Sequence, residues 1–267
     1  MPGGAPPKKS KTGLVIGLVA GGLVLVLVAV AGVVLFLRGG FGGSGGDGSA
    51  VSADGLQVQQ DDGSVVLAEP GGTGAPVVEV YMDFQCPPCK EFHTESGSLL
   101  DDMGSSGEAT VHYRPVSIFA TQGGTMAENS LRGGAAAIVA AEYGYYLEYQ
   151  DRLFDAQPAE GEEGFSAEEL TSLGEQVGID DPEFATRIDE EVAAADAEVN
   201  GGGAPSGSAV DALLTATDAA MARYTGTDAL AGVPAVYING SSVDPFTTDL
   251  QSQILDASPG EVDTEPR

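Results

Sequence analysis

A chain of 267 residues with 42% hydrophobic content is long enough for one substantial domain with accessory segments. Its formal charge of −29 is unevenly placed: residues 1–38 carry Lys8, Lys9, Lys11 and Arg38 with no acid, a charge of +4, and the rest carries −33. So acidic a body is repelled by nucleic acid, which excludes a nucleic-acid role, and a total of two cysteines excludes a multi-disulfide scaffold and a four-cysteine zinc site.

Residues 1–13 form a short basic segment, and 14–37 an unbroken uncharged run of 24 residues rich in Val, Leu, Gly and Ala. A helix rising about 1.5 Å per residue over that run exceeds the roughly 30 Å hydrocarbon core of a bilayer, so the run is expected to be a transmembrane anchor. Lysines precede it and one arginine follows. The positive-inside rule then puts the N-terminus in the cytoplasm and the body after residue 38 outside it, as a single-pass protein of the cell membrane. Ala29-Val30-Ala31 resembles the cleavage site of a signal peptide. The apolar run continues to Leu37 and favours an uncleaved anchor, and either reading exports the body. Residues 38–72 read as a Gly-rich linker and lead-in, with a strand expected around Ser64–Leu67.

The main domain is expected over 73–258, with a tail at 259–267. Ala75 to Phe84 is short and rich in β-branched and aromatic residues, as a buried strand requires. Phe92, Ser96, Leu99, Leu100 and Met103 fall at helical spacing behind the cysteines, and Glu108 to Ile118 alternates as a second strand. Strand, helix, strand opens an α/β unit. A long helix is expected next, with Leu131, Ala135, Ile138, Tyr145, Tyr149 and Leu153 on one face and Pro158 ending it. Tyr143, Tyr145, Tyr146 and Tyr149 are expected to pack, with some free to line a peptide groove. Ser166-Ala167-Glu168-Glu169 has the pattern of a capping box, and two or three helices are expected between 166 and 225, broken at Gly201 to Pro205. Strand character returns at Ala235–Asn239, followed by a turn at Asn239-Gly240 and an amphipathic helix over about 247–255. The outline is an α/β domain divided by a helical insertion at about 120–228.

The chemistry lies in Phe84-Gln85-Cys86-Pro87-Pro88-Cys89-Lys90. A cysteine leading a helix meets unpaired N–H groups and the positive end of the helix dipole, which favour its thiolate. The thiolate is the attacking species in disulfide exchange, and a second cysteine one turn on can resolve the mixed disulfide. Proline is tolerated in the first turn, where its missing N–H has no helical partner. Pro87 and Pro88 remove two donors near the sulfur, so the Cys89 N–H carries more of the stabilisation. Lys90 reads as a solvated helix residue or as a cation tuning Cys86. A structural disulfide over so small a loop constrains the unfolded chain little. A metallochaperone site built from Cys86, Cys89 and His93 is the remaining alternative, with His112 or a carboxylate as a fourth ligand; otherwise His93 and His112 read as surface or core-edge residues.

Asp83-Phe84-Gln85-Cys86-Pro87-Pro88-Cys89, with Gly232-Val233-Pro234-Ala235-Val236-Tyr237-Ile238-Asn239-Gly240 far downstream, resembles the DsbA-like branch of the thioredoxin superfamily. Gly144 to Phe154 and Gly178 to Phe184 are similar to helical parts of the same proteins. The resemblance implies a thioredoxin-like fold with a large helical insertion, and a protein thiol–disulfide oxidoreductase whose catalytic residues are Cys86 and Cys89. It implies no cofactor beyond a redox-active Cys86–Cys89 disulfide and no metal. Pro234 matches a proline that is cis in the family, and Val233 the place where relatives hold substrate as an added strand. Asp83, Phe84, Pro87, Pro88 and Lys90 surround the site. Implied partners are exported proteins with cysteine thiols and a membrane redox partner that re-oxidises or reduces the pair. An oxidant of exported chains is the expected function, with a reductase or isomerase on the same scaffold as the alternative. One departure stands out: the position six residues before Cys86, where many thioredoxin relatives place a buried acid, is Val80. Glu79 falls on the opposite face of the strand, leaving Asp83 as the nearest acid to the pair.

Overall fold

The computed structural model of the chain describes residues 50–71 and 74–261. The expected anchor at 14–37, the N-terminus before it, nearly all of the Gly-rich part of the linker and most of the tail lie outside the described residues. Among the described residues no helix is long and apolar enough to cross a membrane.

Two short strands, Gln57–Gln59 (β1) and Val65–Leu67 (β2), precede the strand Val77–Met82 (β3), the helix Pro87–Ser105 (α1) and the strand Thr110–Pro115 (β4). The helices Gly124–Glu142 (α2), Tyr146–Asp155 (α3), Ala167–Val177 (α4), Pro182–Val199 (α5) and Ala209–Arg223 (α6) follow. The chain then forms a hairpin, Ala235–Ile238 (β5) and Ser241–Val243 (β6), and the short helix Leu250–Leu255 (α7). The sheet order is β1-β2-β4-β3-β5-β6, with β3 and β4 parallel and the other neighbours antiparallel. This is the thioredoxin-like α/β arrangement, with the helical insertion between β4 and β5.

All six residues of β3 are buried, because helices cover both faces of the sheet at its centre. Val78, Val80 and Met82 join the main core with Cys89, Phe92, Leu100 and Met103 of α1. Each such large side chain, fully buried, stabilises the fold by about 1.5–3 kcal/mol. Tyr81 faces the other way, into a smaller cluster with Val116, Ala220, Leu230 and Tyr237. Glu79 lies on that second face, as the strand period requires. Its carboxylate is buried and bonded to Arg223 Nη2 (2.9 Å), Tyr224 OH (2.6 Å) and Tyr81 OH (2.8 Å). Arg114, beside it, pairs with Asp62 at 2.9 Å. Burial works against the Glu79 charge, but Tyr224 and the two arginines outweigh it and hold the carboxyl below its ordinary range.

The helical insertion departs from the sequence reading in one respect. The single helix expected from Leu131 to Leu153 is two helices, because Gly144 turns the chain at φ +79° between α2 and α3. A Cβ there would stand 2.8 Å from the Ser52 backbone, so the close approach of the lead-in also requires glycine. Three helices occupy 167–223, and the capping box forms: Ser166 Oγ accepts from Glu169 N, while Glu169 accepts from Phe165 N. Within α2, Gly134 lets α6 approach, since a Cβ would meet Leu213 Cδ2 at 2.5 Å. Tyr146 and Tyr149 are fully buried packing residues. His112, read as a surface or core-edge residue, is instead wholly buried in β4, where Ser64 Oγ lies 2.6 Å from its Nε2. The strand β1 was not anticipated; it extends the sheet beyond β2.

Candidate active site

The parallel strand β3 ends at the centre of the sheet, and the turn after it delivers Cys86 to the N-cap of α1. Asp83 shapes that turn: its carbonyl accepts from Cys86 N (3.0 Å) and its Oδ1 from Gln85 N (2.9 Å). Pro87 and Pro88 occupy the first helical positions and are exposed, while Cys89 is fully buried below them. No side chain caps α1. The Cys86 sulfur sits where a cap would, facing the helix N-terminus.

The second signature arrives from β5. The Val233–Pro234 bond is cis, and the Cys86 thiol donates to the Val233 carbonyl at 3.5 Å. Val233 and Pro234 are half-buried. Both cysteines are free thiols. The Cys86 thiol is held below the usual thiol range by the neighbouring Cys89 thiol and then by the Cys89 N–H, against burial and the carboxylates of Asp83 and Glu160. Cys89 is pushed well above that range by burial and by Cys86. The pair is therefore asymmetric: both sulfurs are buried, but the Cys86 thiolate is favoured and the Cys89 thiolate disfavoured.

Asp83 is wholly buried. Its N–H donates to Cys89 Sγ at 3.5 Å, and its Oδ2 accepts from Ser130 Oγ (2.7 Å) and Phe119 N (3.4 Å). Burial pushes its carboxyl up to about 6, with Ser130 and the N–H groups of Gln85, Phe119 and Ile118 opposing. Phe84 packs its ring on Phe154, with centroids 4.9 Å apart. Lys90 stands next in sequence, and its ammonium donates to the Asp155 carbonyl at 3.3 Å.

His93 does not join the cysteines. Its Nε2 bonds Asp151 at 2.8 Å and its ring stacks on Phe154, and among the described residues no group of three or more His, Cys, Asp or Glu side chains could hold a metal ion. The Cys86, Cys89, His93 ligand set is thus not assembled.

Gln157 is a site residue the sequence did not reveal. From the end of α3 its Nε2 donates to Phe84 O (2.8 Å) and Cys86 O (3.0 Å), while Gln85 Nε2 returns a bond to Pro158 O (3.3 Å). These bonds fix the loop that carries Glu160 beside Cys86. Ser130 and Ser117, whose hydroxyls lie 2.6 Å apart, were likewise missed. The Gln157 bonds span 73 and 71 residues and the serine pair 13, and no local pattern announces them.

The family model described as Thioredoxin matches residues 69–257, more than half of the chain. No curated protein is significantly similar to it in sequence. Among solved structures it is similar to the MdbA protein of Corynebacterium diphtheriae, a thiol-disulfide oxidoreductase, at 19% identity and a TM-score of 0.54, over 78% of this chain and 94% of that one. The MdbA protein of Actinomyces oris, also a thiol-disulfide oxidoreductase, is 17% identical with a TM-score of 0.51, over 81% and 96%. BdbD of Bacillus subtilis in its oxidised form is 17% identical with a TM-score of 0.51, over 78% and 97%. The matched span holds both signatures, and the chain belongs to the thioredoxin family.

Proposed function

We propose that this protein is an extracytoplasmic thiol–disulfide oxidoreductase that oxidises cysteine pairs of exported proteins. The observation that carries the reading is the meeting of Cys86 at the N-terminus of α1 with the Val233 carbonyl beside cis-Pro234, above a buried Cys89. In this reading Cys86 and Cys89 form the working disulfide, and a substrate extends along Val233 and Pro234. A substrate thiolate attacks Cys86, Cys89 leaves as a thiolate, and a second substrate thiolate attacks the substrate sulfur of the mixed disulfide to release Cys86. The substrate is oxidised by two electrons and the pair is reduced. A membrane redox partner then re-oxidises it, and residues 14–37 anchor the domain on the outer face of the cell membrane. Exported location favours this direction, because disulfides persist outside the cytoplasm.

A reductase fed by the membrane partner is the second reading. It is favoured by the Asp83 and Glu160 carboxylates, which oppose the Cys86 thiolate and so weaken the oxidant. The equilibrium potential of the pair decides between them. A glutathione titration giving about −120 mV supports the disulfide donor, and about −270 mV the reductase. A Cys86→Ser variant that kept full thiol-oxidising activity would overturn both.

A further inference from the structure

Three N–H groups converge on the Cys86 carbonyl. Pro87 and Pro88 fill the first two helical positions and bring no N–H, so the first main-chain donor of α1 is Cys89. Its N–H donates to the Cys86 carbonyl at 3.0 Å, and Lys90 N donates to the same oxygen at 3.3 Å. Gln157 Nε2 adds a third donor at 3.0 Å. A carbonyl oxygen has two lone pairs, so one of the three donors is surplus. The Cys86 side chain does not cap the helix, and in the thiol form the Cys89 N–H serves the carbonyl.

Ionisation of Cys86 reverses the demand. As a thiol it donates to the Val233 carbonyl at 3.5 Å, and as a thiolate it can only accept. The main-chain group that favours the charged sulfur is the Cys89 N–H, the third-position donor that an N-cap side chain ordinarily takes. That N–H can turn from carbonyl to sulfur at little cost only if the carbonyl keeps its partners when it leaves. Lys90 N makes the longest of the three bonds, and Gln157 fills the remaining lone pair. Holding the loop after α3 does not require this contact. Gln157 Nε2 also bonds Phe84 O at 2.8 Å, and Gln85 Nε2 bonds Pro158 O at 3.3 Å. On the far side Asn129 bonds Glu162 O at 2.9 Å and Gly164 N at 3.2 Å. The titratable groups facing the Cys86 sulfur are Cys89 on α1, Asp83 from the turn after β3 and Glu160 from the loop after α3. The segment before β5 brings the Val233 carbonyl.

We propose that Gln157 is a positioning residue for the nucleophile: it holds the Cys86 carbonyl and so frees the Cys89 N–H to turn onto the Cys86 sulfur when that sulfur is charged. This rests on the reading of Cys86 as the exchanging sulfur, in either direction. The end of α3 thereby makes up for a donor that the two prolines remove from the first turn of α1. Gln157 acts through the carbonyl and not on the sulfur itself, and it brings no charge of its own.

The test is stopped-flow reaction of the reduced full chain with an aromatic disulfide that releases thionitrobenzoate, followed across pH. The first equivalent released reports attack by Cys86, and its rate rises with pH as the thiolate forms. Gln157→Met keeps the length of the side chain and removes the donor. It should move the midpoint of this phase up by about half to one pH unit, a thiolate fraction roughly three- to tenfold smaller below the midpoint. Glu160→Gln supplies a second background. If Gln157 served only to hold the loop, Gln157→Met would let the Glu160 carboxylate move off, and the midpoint would fall in the first background and stay fixed in the second. The proposal requires the same rise in both, and a midpoint that fails to rise in either overturns it alone. In wild type the Cys89 amide proton, followed by NMR, should move downfield along the same midpoint as it passes to the sulfur. An amide that does not respond overturns the proposal without any variant, which keeps the test if Gln157→Met does not fold. Wild type that releases no equivalent overturns the exchange reading, and the proposal with it.

Discussion

Asp83→Asn has a consequence for stability. The carboxyl is pushed by burial from 3.8 in a free chain to about 6 in the fold. It therefore binds its proton more tightly when folded, and between those values the folded state holds more protons than the unfolded one. Stability must then fall as pH rises through that window. Two pKa units at roughly 1.36 kcal/mol each make this about 3 kcal/mol in full, of which about 2 kcal/mol develops between pH 4.5 and pH 7.5. Asparagine cannot titrate, and Ser130 can turn its hydroxyl to suit the amide. The variant should therefore gain on wild type by about 2 kcal/mol between those two pH values, read by urea unfolding with circular dichroism. His112 pulls the other way: burial pushes it from 6.5 down to about 3, so its share of stability is lost as pH falls below 6.5. The difference between wild type and variant cancels that trend. A gap that stays within about 0.5 kcal/mol across the range would refute the assignment of Asp83 as a buried, titrating acid.

Arg223→Met removes the cation 2.9 Å from the buried Glu79 carboxylate and leaves it Arg114 at 3.7 Å, and should cost about 1.5–3 kcal/mol of unfolding free energy in urea; Glu79→Gln with Arg223→Met should recover part of it. Gly134→Ala drives a methyl to 2.5 Å from Leu213, and overpacking there should cost about 1–3 kcal/mol in thermal unfolding. Gln157→Ala removes the donor shared by Phe84 O and Cys86 O; a loss of about 1–3 kcal/mol is expected, against no change if the loop is held by other means. Glu160→Gln should lower the Cys86 pKa, since the carboxylate opposes the thiolate. Ultraviolet thiolate titration would contradict this if the midpoint stayed fixed or rose.

The parts of this fold legible in the sequence are those whose signal is local. β3 and β5 announce themselves by β-branched and aromatic runs, α1 by its apolar spacing behind the cysteines, and the hairpin by Asn239-Gly240, both at positive φ as a two-residue turn requires. The reading failed where local pattern and tertiary need diverge. The apolar period runs straight across Gly144, because Tyr145 and Tyr149 keep the phase, yet the approach of Ser52 breaks the helix there. β1, with the sequence Gln-Val-Gln, has no hydrophobic alternation, and pairing with β2 is what orders it. At the site, the cysteines and their opposing carbonyl followed from two motifs. The hydroxyls serving Asp83 did not, because a serine inside an alanine-rich helix looks like any small residue until the acid 47 positions away is placed beside it. Glu79 shows the same limit: its face was legible, but two of the groups that bond its carboxylate, Arg223 and Tyr224, stand 144 and 145 positions downstream.

The helical insertion and the sheet are bonded together at buried polar groups in this chain. Ser130 on α2 completes the surroundings of Asp83, and Thr217 on α6 accepts from the Ser117 main chain at 2.9 Å. Arg223, where α6 ends, neutralises Glu79 on the reverse face of the same strand. Both Glu79 and Asp83 thus take part of their hydrogen bonding from the inserted segment, one at each end of it. A minimal scaffold made by excising the insertion, or a chimera carrying a foreign one, would leave Asp83 without the Ser130 hydroxyl and Glu79 without Arg223 and Tyr224. The core and its insertion are exchangeable only as a pair, and grafting this redox centre onto another scaffold means carrying the four side chains Ser130, Thr217, Arg223 and Tyr224 along with the cysteines.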